Sequence, residues 1–177
     1  MKKILSVDAE TDGLWGNSPF WIAAIVYNEE GLEIDKINVA NKFIGKLVTD
    51  DWVKENVLPV LKQDKTVKKV SGFKELYKEF ADFYNKYRED STVLWHMGHI
   101  VESHLFRELH SLNLIGDWDA PYNPIEVAEI LRQNNEKPDS VDSYIEKYDI
   151  TVNDYGTTHN PLYDCEAAAK VYFSLRG

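Results

Sequence analysis

The apolar positions of this chain fall first into short runs and later into stripes of helical spacing. Ile4, Leu5 and Val7 form a short run behind Lys2 and Lys3, which predicts a buried strand running into a turn at Gly13. Phe20 to Tyr27 (FWIAAIVY) is continuously apolar and reads as a central strand covered on both faces. After the turn at Asn28 to Gly31, Leu32 to Val39 (LEIDKINV) alternates imperfectly and predicts a third strand. Three strands in sequence order are most simply an antiparallel meander. Ser91 to Met97 (STVLWHM) predicts a fourth.

Helical stripes fill most of the rest. Thr49 or Asp50 caps a helix carrying Trp52, Val53, Val57, Leu58 and Leu61, which Pro59 ends or kinks. Lys62 to Val70 (KQDKTVKKV) reads as a solvated basic loop, with a phosphate-contacting rim as the sharper alternative. Phe73, Leu76, Tyr77, Phe80, Phe83, Tyr84 and Tyr87 mark a strongly amphipathic helix, and Val101, Leu105, Leu109 and Leu112 mark the next. Asn123-Pro124 reads as a cap and first-turn proline opening a helix through Leu131, in competition with a short fifth strand near Tyr122 to Ile125. Asp139 or Ser140 caps a helix through Tyr148. Asn160-Pro161 opens the last one, Leu162 to Leu175, whose Ala167, Ala168 and Ala169 permit close packing. Strands early and helices late predict an α/β domain, a mixed sheet with helices on its faces.

Composition narrows this little. The 177 residues suit a single domain spanning 1–177, with 44% hydrophobic and 28% charged residues. No apolar run approaches a membrane span, and the N-terminus lacks a signal-peptide apolar region. The single cysteine, Cys165, excludes an internal disulfide framework and suits a reducing cytoplasm. A net charge of −10 argues against broad coating of a nucleic-acid duplex, though not against gripping a strand end through bound cations.

The chemistry gathers at the two ends. Strand alternation puts Asp8 and Glu10 on one side, where two acids repel and call for a cation. A divalent ion at the strand end is the economical answer. Far along the chain, Asp164 sits in the first turns of the last helix and His159 just before its cap, on a flexible approach. An acid fixed by a helix beside a less constrained histidine is what a metal ligand and a general base need.

Asp8-Ala9-Glu10-Thr11-Asp12-Gly13-Leu14 resembles the first motif of the DEDDh branch of the 3′–5′ exonucleases, the group of ribonuclease T, oligoribonuclease and the polymerase proofreading subunit. His159-Asn160-Pro161-Leu162-Tyr163-Asp164 resembles its third, and Ser140-Val141-Asp142-Ser143-Tyr144 the helix before it. The middle motif departs. Where the family places an aspartate after the fourth strand, this chain reads His96-Met97-Gly98-His99-Ile100-Val101-Glu102-Ser103-His104, so the role passes to Glu102, with His104 as runner-up.

The resemblance implies a ribonuclease-H-like, mixed five-stranded sheet flanked by helices. It implies hydrolysis at nucleic-acid 3′ ends with two Mg²⁺ or Mn²⁺ ions held by Asp8, Glu10 and Asp164, Glu102 acting through water. His159 would be the general base. Thr11 and Leu14 would touch the terminal nucleotide, and Trp15 would stack there or pack in the core. Single-stranded 3′ ends or short oligonucleotides are the implied partners.

Two alternatives stay open: a strand-end-binding module of the same fold that no longer cuts, and a phosphohydrolase for small phosphodiesters. A zinc site of His96, His99, His104 and Glu102 is disfavoured, because a strand end cannot aim all three histidines together. Phe106, Trp118 and Trp52 belong either to the core or to a homodimer interface.

Overall fold

The structure, a computed structural model, describes residues 2–15, 18–152 and 155–176. Its centre is a six-stranded mixed sheet. The strands are β1 (Lys3–Glu10), β2 (Trp21–Tyr27), β3 (Glu33–Asn41), β4 (Lys68–Val70), β5 (Ser91–Trp95) and β6 (Ile125–Glu126), in the spatial order β4-β3-β2-β1-β5-β6. β1, β2 and β3 form the expected antiparallel meander, while β4, β5 and β6 each join parallel. β2 is buried at every position, as its unbroken apolar run requires. The imperfect alternation of β3 has a local cause: the β2–β3 register shifts at Val26/Tyr27, and the first half of β3 lies towards solvent.

The helices are α1 (Asp51–Asn56), α2 (Leu58–Gln63), α3 (Phe73–Tyr87), α4 (Val101–Ser111), α5 (Val127–Gln133), α6 (Val141–Lys147) and α7 (Pro161–Leu175). Alternation along β1 splits the core. Leu5, Val7 and Ala9 pack with Leu76, Phe80, Leu105 and Phe106 from α3 and α4. Ile4, on the other face, joins Leu131, Tyr144 and the alanines of α7. A third cluster at one end sets Phe20 and Trp21 against Val53, Val57 and Leu61. Among the described residues no helix is long and apolar enough to cross a membrane.

Local chemistry explains most boundaries. Asp50 caps α1 by accepting from the Val53 amide, Ser140 caps α6 by accepting from Ser143, and Asn160 caps α7 by accepting from Leu162. Pro59 stands in the first turn of a second helix, so the apolar stripe of 52–61 is broken at Val57.

Two expectations need correction. The basic stretch 62–70 is not all loop: Lys68–Val70 pairs parallel with Val39–Asn41, so the sheet has six strands rather than five. Asn123-Pro124 does not open a helix. Ile125 and Glu126 pair with Leu94 and Trp95, and the Glu126 side chain caps α5 by accepting from the Ala128 amide. Of the aromatic residues considered for an interface, Phe106 is core, whereas Trp52 and Trp118 are exposed.

Candidate active site

β1 carries Ile4, Ser6, Asp8 and Glu10 on the face that α7 covers. The small side chains of Ala167, Ala168 and Ala169, all buried, let α7 lie close over β1 and β2. A buried hydrogen bond fixes the register: Ser6 Oγ donates to the Cys165 carbonyl at 2.7 Å. Ser6 is two residues before Asp8 and Cys165 one after Asp164, so the bond sets the two acids opposite each other. Cys165 itself is buried, its thiol directed at the Ala23 carbonyl, which agrees with a packing role.

The outcome is one cluster. Carboxylate oxygens of Asp8, Glu10 and Asp164 all lie within 4.8 Å of one another. Among the described residues no other group of three His, Cys, Asp or Glu side chains meets that spacing, so the histidines near β5 gather no zinc site. His96 Nε2 instead bonds the Pro138 carbonyl at 2.8 Å, and His104 lies 3.2 Å from Glu108.

The electrostatics follow from burial and crowding. Burial pushes Asp8 well above the usual carboxylate range, and the charges of Asp164, Glu102 and Glu10 push it further. Glu10 is raised in the same way, by burial and then by Asp164 and Glu102. Asp164 rises to about 8 through burial and the charge of Asp142, against the His159 amide that donates to it. Without a counter-charge this cluster holds protons at neutral pH. Hard carboxylate oxygens this close together could hold a hard divalent cation.

Glu102 sits at the start of α4, fully inside, and is also raised to about 8, chiefly by burial. The last paired residues of β1 and β5 are Ser6 and Leu94. Beyond them the β5 side of β1 is open, and the Ala9 amide donates to Glu102 Oε1 at 3.0 Å. Glu102 therefore braces the strand that carries Asp8 and Glu10. Its charge reaches Asp8, Glu10 and Asp164, although it stands outside the three-carboxylate cluster.

His159 lines the same cleft, of about 280 Å³, as Asp8, Glu10 and Asp164. It adopts a left-handed backbone (φ 69°), a conformation with a cost for a non-glycine residue. Its backbone N–H donates to Asp164 Oδ2 at 3.1 Å, tying histidine and acid into one unit. Its ring meets Trp52 edge-on, with centroids 4.8 Å apart. Burial lowers its pKa from the ordinary 6.5, with Asp142 pulling the other way, so the ring is neutral at pH 7 and free to accept a proton.

The approach to His159 is more firmly held than its sequence implies. Asn160 Nδ2 donates to the Tyr155 carbonyl at 2.6 Å and to Asp64 Oδ2 at 3.1 Å. Asp64 also accepts from Asn38 Nδ2 at 2.9 Å, and Asn38 Oδ1 accepts from Trp21 Nε1 at 2.7 Å. A polar chain thus runs from the central strand to the cap of α7.

Sequence reasoning missed this network and the part played by Asp142. That acid lines the cleft, accepts from Tyr163 Oη at 3.1 Å, and acts on both Asp164 and His159. Its signal was its place in the second position of the Ser140-capped helix.

Thr11, Leu14 and Trp15 line a neighbouring hollow with His99, His104 and Arg107. Thr11 is buried and its Oγ1 donates to the Gly13 carbonyl at 2.8 Å. Gly13 has φ 83°, and a Cβ there would lie 3.2 Å from the Asp50 carboxylate. Asp12 accepts from the Thr49 and Asp50 amides, tying the turn to the start of α1. Leu14 and Trp15 are left exposed, at 61% and 82%, so Trp15 is not part of the core.

No protein-family model matches the sequence, and no curated protein does either. Solved structures do resemble the fold. The nuclease domain of 3′hExo, a DEDDh family member bound to rAMP, superposes with a TM-score of 0.68 at 15% identity, over 99% of this chain and 92% of that one. Cell-death related nuclease 4 (CRN-4) gives 0.67 at 15% identity, over 99% and 64%. Exonuclease I of E. coli, in complex with a dT13 oligonucleotide, gives 0.63 at 12% identity; the chain spans 41% of its length. The motif resemblance at the two ends and the superposition over the whole chain thus agree: the fold is the ribonuclease-H-like one of the DEDDh 3′-exonucleases.

Proposed function

We propose that this chain is a divalent-metal-dependent 3′–5′ exonuclease acting on single-stranded 3′ ends or short oligonucleotides. The observation that carries the reading is the meeting of Asp8 and Glu10 with Asp164, more than 150 positions away, in a cleft that also holds His159. Three half-buried acids at this spacing are costly unless a cation compensates them. The structures with this fold that bind rAMP or a dT13 oligonucleotide are nucleases.

Asp8, Glu10 and Asp164 would hold two Mg²⁺ or Mn²⁺ ions, with Glu102 contributing through water. When bound, such a pair supplies Lewis-acid polarisation of the phosphate and charge stabilisation of the attacking and leaving oxygens. The chain's own residues do the rest. His159, neutral near pH 7, takes the proton of the attacking water on a ring nitrogen. The Asp164–His159 backbone bond keeps that ring beside the acids. Asp142 stabilises the imidazolium that forms, because its negative charge favours the protonated ring. Leu14 and Trp15 present apolar surface to the terminal nucleoside.

The test is a single strand labelled internally and at either end, incubated with Mn²⁺. Stepwise loss from the 3′ end, absent in Asp8→Ala and Asp164→Asn, is the expected result. Strands that bind and never shorten would leave a binding module, and cleavage confined to small diesters would leave a phosphohydrolase.

A further inference from the structure

A hollow more capacious than the acidic cleft lies elsewhere on the described surface. It is a depression of about 440 Å³ along the outer side of α4, floored by Trp95 and Phe106 and rimmed by Arg107, Asp117 and Tyr122. Arg107 is shared with the hollow that holds Leu14 and Trp15, so the two adjoin across α4. The spacing of α4 makes this so: Glu102, Leu105, Phe106 and Leu109 turn inward, leaving Ser103, Arg107 and His110 along one exposed stripe.

Two features mark this surface. Trp118 and Tyr122 are 86% and 61% exposed, with ring centroids 5.8 Å apart, on the loop that forms the far rim. Large aromatic rings left in water beside a hollow signal an occupant. Arg107 is exposed and makes no ion pair among the described residues; its only hydrogen bond there is a 3.4 Å contact from Nη2 to Ser103 Oγ. An uncompensated guanidinium is conspicuous on a chain of net charge −10. Two acids near it in the chain or in the hollow have histidine partners, Glu108 with His104 at 3.2 Å and Asp117 with His110 at 2.7 Å. Exposed rings and an unpaired cation at one hollow suit single-stranded bases and their phosphates.

We propose that this aromatic hollow is an upstream track that holds the nucleotides behind the 3′-terminal one, with Arg107 on a phosphate and Trp118 and Tyr122 stacking on bases. The proposal rests on the nuclease reading for its direction, since the track leaves the Leu14–Trp15 hollow at Arg107. From Ser103 to His110, the α4 residues that line the hollow, the helix rises about 10 Å. A stacked strand advances about 3.4 Å per nucleotide, so the track spans roughly three nucleotides. The substrate class is therefore strands of several nucleotides, not dinucleotides alone.

The test uses the full chain and two separate readouts. Binding of 5′-fluorescein oligothymidylates of two and six nucleotides is measured by anisotropy in Ca²⁺, and turnover of a nitrophenyl ester of thymidine phosphate is measured in Mn²⁺. The hexamer binds about 10-fold or more tighter than the dimer. Trp118→Ala, at an exposed position that leaves the core intact, weakens hexamer binding by about 5-fold or more and leaves the dimer unchanged. Arg107→Ala weakens the hexamer and lowers the salt slope by about one.

Equal affinity for both lengths, or no effect of Trp118→Ala, overturns the track. So does hexamer binding that ignores salt, which would mark an apolar occupant. If the ester is turned over while the strand results fail, the track falls and the nuclease reading stands. If Trp118-dependent binding is seen with no turnover of ester or strand, the track stands and hydrolysis falls.

Discussion

The acid cluster makes a counter-intuitive demand on stability. In the metal-free protein Asp164 holds its proton up to about 8, against 3.8 for the free side chain, and Asp8 and Glu10 are raised with it. Between those values the folded state binds protons that the unfolded chain has released. Stability is therefore greatest near and below pH 4 as far as these groups are concerned, and it falls as pH rises towards 8.

Each retained proton costs about 1.4 kcal/mol per pH unit across that window. One proton shared by the cluster thus removes roughly 2–3 kcal/mol between pH 5 and pH 7, and water reaching the cleft reduces this. At about 2–4 °C per kcal/mol for a chain of this size, the melting temperature drops by about 5–10 °C. Melting curves in EDTA at pH 5 and pH 7 read it directly. Asp164→Asn flattens the dependence and makes the metal-free protein more stable than wild type at pH 7. Mn²⁺ restores wild type at pH 7 but restores Asp164→Asn little, because only the folded acids bind it. Metal-free stability that is level or rises from pH 5 to pH 7 would refute the reasoning, as would equal Mn²⁺ stabilisation of both proteins.

Other consequences concern single residues. His159→Ala lowers kcat by about 10²–10⁴-fold, and wild-type activity loses its acid limb at a pH below the ordinary histidine value of 6.5; a pH–rate profile checks both. Asp64→Ala leaves the Asn38 and Asn160 amides without their carboxylate and costs about 1–3 kcal/mol by urea unfolding, with kcat falling because His159 shifts. Asp64→Asn recovers part of each. Gly98→Ala places a Cβ 2.3 Å from the Trp95 ring and costs about 1–3 kcal/mol, visible as a lower midpoint in denaturant. Ser6→Ala loses the bond that sets α7 on β1 and costs about 0.5–1.5 kcal/mol, with a weaker Mn²⁺ affinity by titration calorimetry.

Much of this was legible because its causes are local. The caps at Asp50, Ser140 and Asn160 act within three residues, and the β2 run and the α3 stripe declare their period directly. β4 was not legible, since three residues with two exposed lysines carry no pattern of their own and exist as a strand only through pairing with β3. β6 was legible only as an alternative, a short strand near Tyr122 to Ile125 in competition with a helix, because the strand character of its two residues comes from pairing with β5.

In the site, Asp8 and Glu10 were readable from strand alternation, and His159 and Asp164 through the resemblance of their segment to a family motif. The bond from Ala9 to Glu102, the effect of Asp142 on His159 and the chain from Trp21 to Asn160 were not. Each joins segments far apart in sequence, and no local rule anticipates them.

Anomalous diffraction from a crystal soaked in Mn²⁺ and a mononucleotide puts the account to its most direct test. It predicts two peaks among Asp8, Glu10 and Asp164, with Glu102 reaching one of them through water and the nucleotide phosphate beside His159. No peak between those three carboxylates, or Mn²⁺ bound only elsewhere on the chain, would contradict it.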